Sequence, residues 1–418
     1  MRNVALILVL TLSWGQCFSQ KIEKDIALGE NYSAFIEEAV GVYENEELTA
    51  YIKSVGDRLT AQMQDPLFDY RYTILATAEP NAFSIPGGHL YITTGMFPFL
   101  ESEDELACIM AHEIIHAEER HVIKSNRRGV IPGILQIPGA IIGAIIDEDL
   151  GNAINAPFRE IGALTHASYN RRQETRADVE GVKIAVKAGY DPEALISILT
   201  RLGKYDEISS GEPETTDRYA GHPITVERVA KIEKAKEKTE KALKPALASD
   251  FFQKFDGALV GSDPKRGVFV EETYVNPTDS FKLVFPKGWE GGFVKNVVYS
   301  VNEEKGEYMR VIFRESSDDP TKAAKEFLER LDPYTKQHVL GSEPVSIDGE
   351  NGHIIAFREE YAGTTYYGFK TWVRHDSLLF SFLAVSQNED LSALEEVPYT
   401  LAAPNEEVWK EIEFPRLR

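Results

Sequence analysis

Cys108-Ile109-Met110-Ala111-His112-Glu113-Ile114-Ile115-His116-Ala117 constrains this chain more than any other stretch. The run from Leu106 to Ala111 is apolar and helix-favouring, which predicts a buried helix through His112-Glu113-x-x-His116. On a helix, residues four apart share a face, so both imidazoles can reach one metal ion. Glu113 sits one step round from His112, close enough to handle a water at that metal. Burying two imidazoles and a carboxylate without a partner is costly, so the pattern demands an ion or a counter-charge. Two ligands, one general base and an open coordination position are the parts of a zinc peptidase.

A third ligand has to come from elsewhere. One large class of zinc peptidases has a further histidine three residues after a glycine, but Glu119 and Val122 stand at those places, which excludes it. The helical phase of His121 turns it away from His112 and His116, so it reads as structural. The segment from Tyr169 to Asp178 offers Glu174 and Asp178, one helical turn apart. Glu174 can bind the metal while Asp178 accepts the far ring N–H of a ligand histidine. The other reading of these acids is a solvated face with Arg–Glu pairs.

Taken together, four segments resemble the class of zinc metallopeptidases that includes HtpX, BepA and the CAAX prenyl endopeptidases. They are His112 to His116 with Arg120-His121, Arg171-Arg172-Gln173-Glu174 with Ala177, Asp178 and Gly181, Ala188 to Pro192, and His222-Pro223 with Thr225 and Arg228. The likeness runs over residues 25 to 235 and keeps the order of the motifs. It implies a gluzincin-type endopeptidase with one zinc per chain, many members acting in envelope protein quality control. Asn81, Ala82 and Phe83, in the segment leading to Pro86-Gly87-Gly88, match the family's strand edge above the zinc. Substrate backbone adds there as an extra strand, a mode that tolerates many sequences. His222 would donate to the tetrahedral oxyanion, with Arg228 near the same centre. In some members this histidine caps the zinc instead.

At 418 residues the chain is long enough for two domains. Residues 1–19 read as a secretory signal peptide: Arg2, then an apolar run from Val4 to Leu12 that is too short to span a membrane. Trp14-Gly15-Gln16 is a poor match to the small residues that precede a lipidated cysteine, which argues against anchoring through Cys17. Cleavage would leave Cys108 as the one cysteine, a packed core thiol with no disulfide partner. A periplasmic or envelope location follows. The net charge of −22 argues against a nucleic-acid partner and against simple docking to anionic lipid.

The expected fold is α+β: a mostly helical, zincin-like metallopeptidase domain with a small sheet over residues 20–230, then a smaller α+β domain over 251–418 with an antiparallel sheet. Residues 231–250, rich in Lys and Glu, read as a solvated linker helix. Residues 21 to 64 read as helical, with strands at Tyr70 to Leu75 and His89 to Thr93. Gly129 to Ile146 is apolar but broken by Pro132 and Pro138. A single crossing there would separate Glu174 from His112, leaving a peripheral membrane contact, a lid or plain packing. The start of the second domain, Phe281 to Trp289, is similar to PsbP-like or Mog-like domains, and no tetratricopeptide repeat follows. The function this points to is an exported zinc endopeptidase acting on unfolded or misassembled proteins. The alternative is a chaperone-like binding protein with a closed, self-capped zinc site.

Overall fold

The computed structural model describes residues 2–126, 169–210, 226–238, 250–294, 296–302, 304–331, 333–361, 363–404 and 416–417. Two compact units emerge. The first holds the described residues up to Ser262 together with 416–417; the second begins at Asp263 and runs through the remaining described residues. The expected features at 129–146, His222 and most of the linker lie outside the described residues.

The first unit opens with helix α1 (Arg2–Val40), which runs unbroken across the expected cleavage point after Ser19. Helix α2 (Glu46–Thr60) starts where Asn45 accepts a hydrogen bond from the Leu48 N–H, capping an orphan donor. Its Leu48, Ile52, Val55 and Leu59 repeat every three or four residues and all face the core. A three-stranded sheet follows: β1 (Arg71–Leu75), β2 (Ala82–Ile85) and β3 (His89–Thr93). β3 lies in the middle, parallel to β1 and antiparallel to β2. All five residues of β3 are buried, as a central strand covered on both faces should be. β2 is therefore an edge. Gly87, at φ 84°, makes the turn between β2 and β3, a conformation only glycine adopts freely.

Helices α3 (Glu103–Glu118), α4 (His121–Asn126), α5 (Arg171–Lys187), α6 (Glu193–Ser210) and α7 (Val226–Lys238) complete this unit. Apolar residues of α2, the sheet, α3, α5, α6 and α7 form one core cluster. The charged stretch expected to be solvated packs instead in α7, with Ile232 and Ala235 buried. Arg228, Ile232 and Ala235 lie four and three residues apart, so a narrow inward stripe hides among the lysines and glutamates. The short helix Phe251–Lys254 also joins this core, as does the chain end, where the Gly257 N–H donates to the Leu417 carbonyl. No helix among the described residues is long and apolar enough to cross a membrane.

The second unit is strand-rich. Strands β4 (Val268–Val270), β5 (Thr273–Asn276) and β6 (Phe281–Val284) form one antiparallel sheet. A seven-stranded antiparallel sheet has the order β10-β11-β12-β13-β9-β8-β7. Its members are β7 (Glu290–Val294), β8 (Val297–Asn302), β9 (Glu307–Glu315), β10 (Val339–Ile347), β11 (Glu350–Tyr361), β12 (Thr364–His375) and β13 (Leu378–Ser386). Side chains alternate along β9: Met309, Val311 and Phe313 point one way and meet Phe380 and Phe382 of β13, while Tyr308 and Arg310, which alternate with them, are buried too. Helix α8 (Pro320–Arg330) covers the other face, its Ala324 clustering with Ile355, Trp372 and Leu379. This is the expected α+β module with an antiparallel sheet.

Candidate active site

Everything in the site hangs on α3. Ser102 caps it by accepting from the Glu105 N–H, and Glu103, Asp104 and Glu105 place negative charge at the positive end of the helix. From Leu106 to Ala117 every residue is buried, so α3 is a helix threaded through the core. The two acids buried at its start need partners, and neighbouring segments supply them. Arg58 and the Tyr51 and Tyr190 hydroxyls bind Glu103; Arg201 binds Glu105 through two nitrogens at 2.9 and 3.0 Å. Cys108 is buried too, with its Sγ 3.4 Å from the Asp191 carbonyl oxygen.

One turn separates His112 from His116, and their Nε2 atoms converge to 3.0 Å. Ligand-type atoms of His112, Glu113 and His116 all lie within 4.8 Å of one another. α5 brings the third group. Its Asn170–Gln173 capping box fixes the start of the helix, and Glu174 and Asp178 then face α3. Glu174 Oε2 is 3.5 Å from His112 Nε2, and its Oε1 is 3.5 Å from His116 Nε2. Zinc bonds of about 2.0–2.1 Å in tetrahedral geometry put ligand atoms about 3.3 Å apart. The three separations bracket that edge, so His112, His116 and Glu174 fit a tetrahedral ion.

Charge balance points the same way. Burial would push the His112 imidazole down, but Asp178 and Glu174 outweigh it and raise its pKa from 6.5 to about 10. The two carboxylates facing this imidazole favour positive charge in the pocket, a demand that a dication meets. Asp178 Oδ1 is 3.1 Å from His112 Nδ1, on the ring edge opposite the ligand cluster. Burial would raise the Asp178 carboxyl, yet hydrogen bonds from Arg228 and His112 hold it below its ordinary range.

Arg228 arrives on α7, almost fully buried. Its Nε and Nη2 each donate to Asp178 at 2.8 Å, and Nη1 is 3.2 Å from Glu174 Oε2. The guanidinium is thus a clamp on the two acids of α5, close to the centre where the resemblance put it. Glu113 is 2% exposed, and the Ser84 hydroxyl of β2 donates to its backbone carbonyl at 2.9 Å with the carboxylate at 3.4 Å. That contact ties the edge strand carrying Ala82 and Phe83 to the helix carrying Glu113, and Asn81 immediately precedes the strand.

The approach of α5 to α3 depends on Gly181. A Cβ there would stand 3.2 Å from the Ala111 carbonyl carbon and the His112 nitrogen, both backbone atoms that cannot rotate away. Gly181→Ala is expected to destabilise the fold by about 1–3 kcal/mol by overpacking. Urea unfolding at constant slope checks this, and an unchanged midpoint would show that the helices can part without cost.

His121 is where sequence reasoning went astray. It is not turned away: its Nδ1 lies 2.9 Å from His116 Nδ1. The phase argument assumed an unbroken helix, but α3 ends at Glu118 and Arg120 adopts φ 55°. A left-handed non-glycine residue costs roughly 1–2 kcal/mol. Here it swings the next side chain back toward the ligand helix, and Asp25 of α1 holds the Arg120 guanidinium through both carboxylate oxygens. The pairing of Arg120 with an acid 95 residues earlier has no local signature in the sequence.

Residues 46–236 match the model of "Peptidase family M48". The beta-barrel assembly-enhancing protease of Escherichia coli is 26% identical over 218 residues, covering 50% of this chain and 43% of that protein. The protein of the same description in Vibrio cholerae is 30% identical over 213 residues, with 50% and 43% covered. The mitochondrial metalloendopeptidase OMA1 of Arabidopsis thaliana is 30% identical over 135 residues, 32% of this chain and 26% of that one. The chain spans under half the length of these relatives. The solution structure of cyanobacterial PsbP from Synechocystis covers 33% of this chain and 95% of that chain at 17% identity, with a TM-score of 0.27 too low to carry an argument. The matched residues include His112, Glu113, His116, Glu174, Asp178 and Arg228, and this chain carries a domain of peptidase family M48.

Proposed function

We propose that this protein is an exported zinc-dependent endopeptidase, with one zinc held by His112, His116 and Glu174. The observation that carries the reading is the triangle of ligand atoms, with edges of 3.0, 3.5 and 3.5 Å, buried at the meeting of α3 and α5. A bound zinc supplies a Lewis acid that brings water toward a pKa of about 7 and polarises a carbonyl. The protein does the rest. Glu113 takes the proton of the attacking water and returns it to the leaving amine. Asp178 holds His112, and Arg228 holds Asp178 and Glu174 in place. β2, an edge of the small sheet beside Glu113, suits pairing with an extended substrate through Asn81, Ala82 and Phe83. His222, as the oxyanion donor, completes the proposal.

Misassembled or unfolded envelope proteins are the substrates this reading favours, supported by the description of the bacterial relatives. The experiment is zinc content and casein cleavage of the purified chain, before and after a chelator. One zinc per chain is expected, with cleavage lost on chelation and restored by zinc. A chain without zinc, or cleavage indifferent to chelation, would overturn the proposal.

A further inference from the structure

We propose that His121 is a positioning residue for the metal site: its imidazole holds the His116 ring at Nδ1 and thereby aims Nε2 at the ion. This rests on the zinc reading above. The two Nδ1 atoms lie 2.9 Å apart, and the ring planes meet at 72° with centroids 4.9 Å apart. The rings therefore meet at their nitrogens and do not stack. Both residues are buried, at 0% and 3% exposure. Two ring nitrogens at that distance share one proton, one donating and the other accepting. With His116 as donor, its Nδ1 carries the hydrogen and its Nε2 keeps the lone pair that a metal needs.

The surroundings hold His121 in turn. Gln173 Nε2 of the α5 capping box donates to the His121 carbonyl at 3.3 Å. Asp25 of α1 fixes Arg120 immediately before it. Tyr169 stacks on His116 with ring centroids 3.8 Å apart and planes 25° apart, which covers one face of that ring. His121 is thus held through its own carbonyl and through its neighbour Arg120, by residues of α5 and α1. His112 is served differently, by the carboxylate of Asp178. A second carboxylate at His116 would add negative charge to a pocket that already contains Glu113, Glu174 and Asp178, whereas a neutral imidazole orients the ring without adding any.

Three variants of the full chain test this: His121→Asn, His121→Gln and His121→Phe. Asparagine places an amide oxygen near the position of Nδ1, glutamine carries it one bond farther out, and phenylalanine keeps the ring without nitrogens. Zinc affinity is read by competition with a chromophoric chelator, beside the visible band of the cobalt-substituted protein and the melting temperature without metal. His121→Asn is expected to bind zinc within about threefold of wild type, and His121→Gln and His121→Phe about 10- to 100-fold more weakly. The cobalt band should shift only in the latter two, with the metal-free melting temperatures of the Asn and Gln variants alike. Equal zinc affinity of the Asn and Gln variants overturns the role of His121, even where His121→Phe fails to fold. A wild-type chain that binds no zinc overturns the metal reading itself, and this inference with it.

Discussion

Glu113→Gln is expected to lower kcat for peptide cleavage by about 1,000-fold, within the roughly 10²–10⁴ range for general acid–base groups, while zinc binding stays near wild type. The substitution keeps the size and buried position of the side chain and removes only its capacity to take a proton. Glu113 is buried at 2% exposure, and Ser84 donates to its backbone carbonyl, so the amide stays in the same place. His112, His116 and Glu174 keep their mutual distances, which is why the metal should remain. Zinc content and steady-state cleavage measured on the same preparation separate the two effects. Retention of near-full kcat with zinc bound would remove Glu113 from the chemistry and favour the binding-protein alternative.

Arg228→Met should produce the second large effect, this time on stability. Asp178 is completely buried and Glu174 nearly so, and Arg228 engages both. Removing one partner of a buried ionic cluster leaves uncompensated charge in a poorly solvated place, at a cost of roughly 3–5 kcal/mol. Methionine retains most of the packing volume, so little of that loss comes from a cavity. The penalty should be largest in a chelator and smaller with zinc, because the dication compensates the same carboxylates. Urea unfolding under both conditions measures it. A loss below about 1 kcal/mol in chelator would mean that the acids find other partners and that Arg228 is not their clamp.

Much of the site was legible locally. The spacing of four between His112 and His116 puts both rings on one helix face whatever surrounds it. Glu174 and Asp178 share a face for the same reason. The strand from His89 to Thr93 was readable from the Pro-Gly-Gly turn before it, whereas the edge strand through Ala82 and Phe83 came from the family resemblance. Two readings missed. The stretch after Val229 looked solvated because lysines and glutamates outnumber its inward residues, yet Ile232 and Ala235 are buried. His121 looked misdirected because its phase was counted along a helix that stops at Glu118.

The difference has a physical origin. By itself the sequence determined which side chains share a face of one helix or strand, because fixed backbone periods of 3.6 and 2 residues carry that information without reference to anything distant. Tertiary structure alone decided which faces meet. It set Glu174 of α5 at 3.5 Å from both histidines, made Arg228 a clamp on acids 50 and 54 residues away, and turned His121 back at the left-handed Arg120 held by Asp25. Those contacts depend on charges and ring edges brought together across the chain, and their strength comes from burial that exists only once the helices have packed.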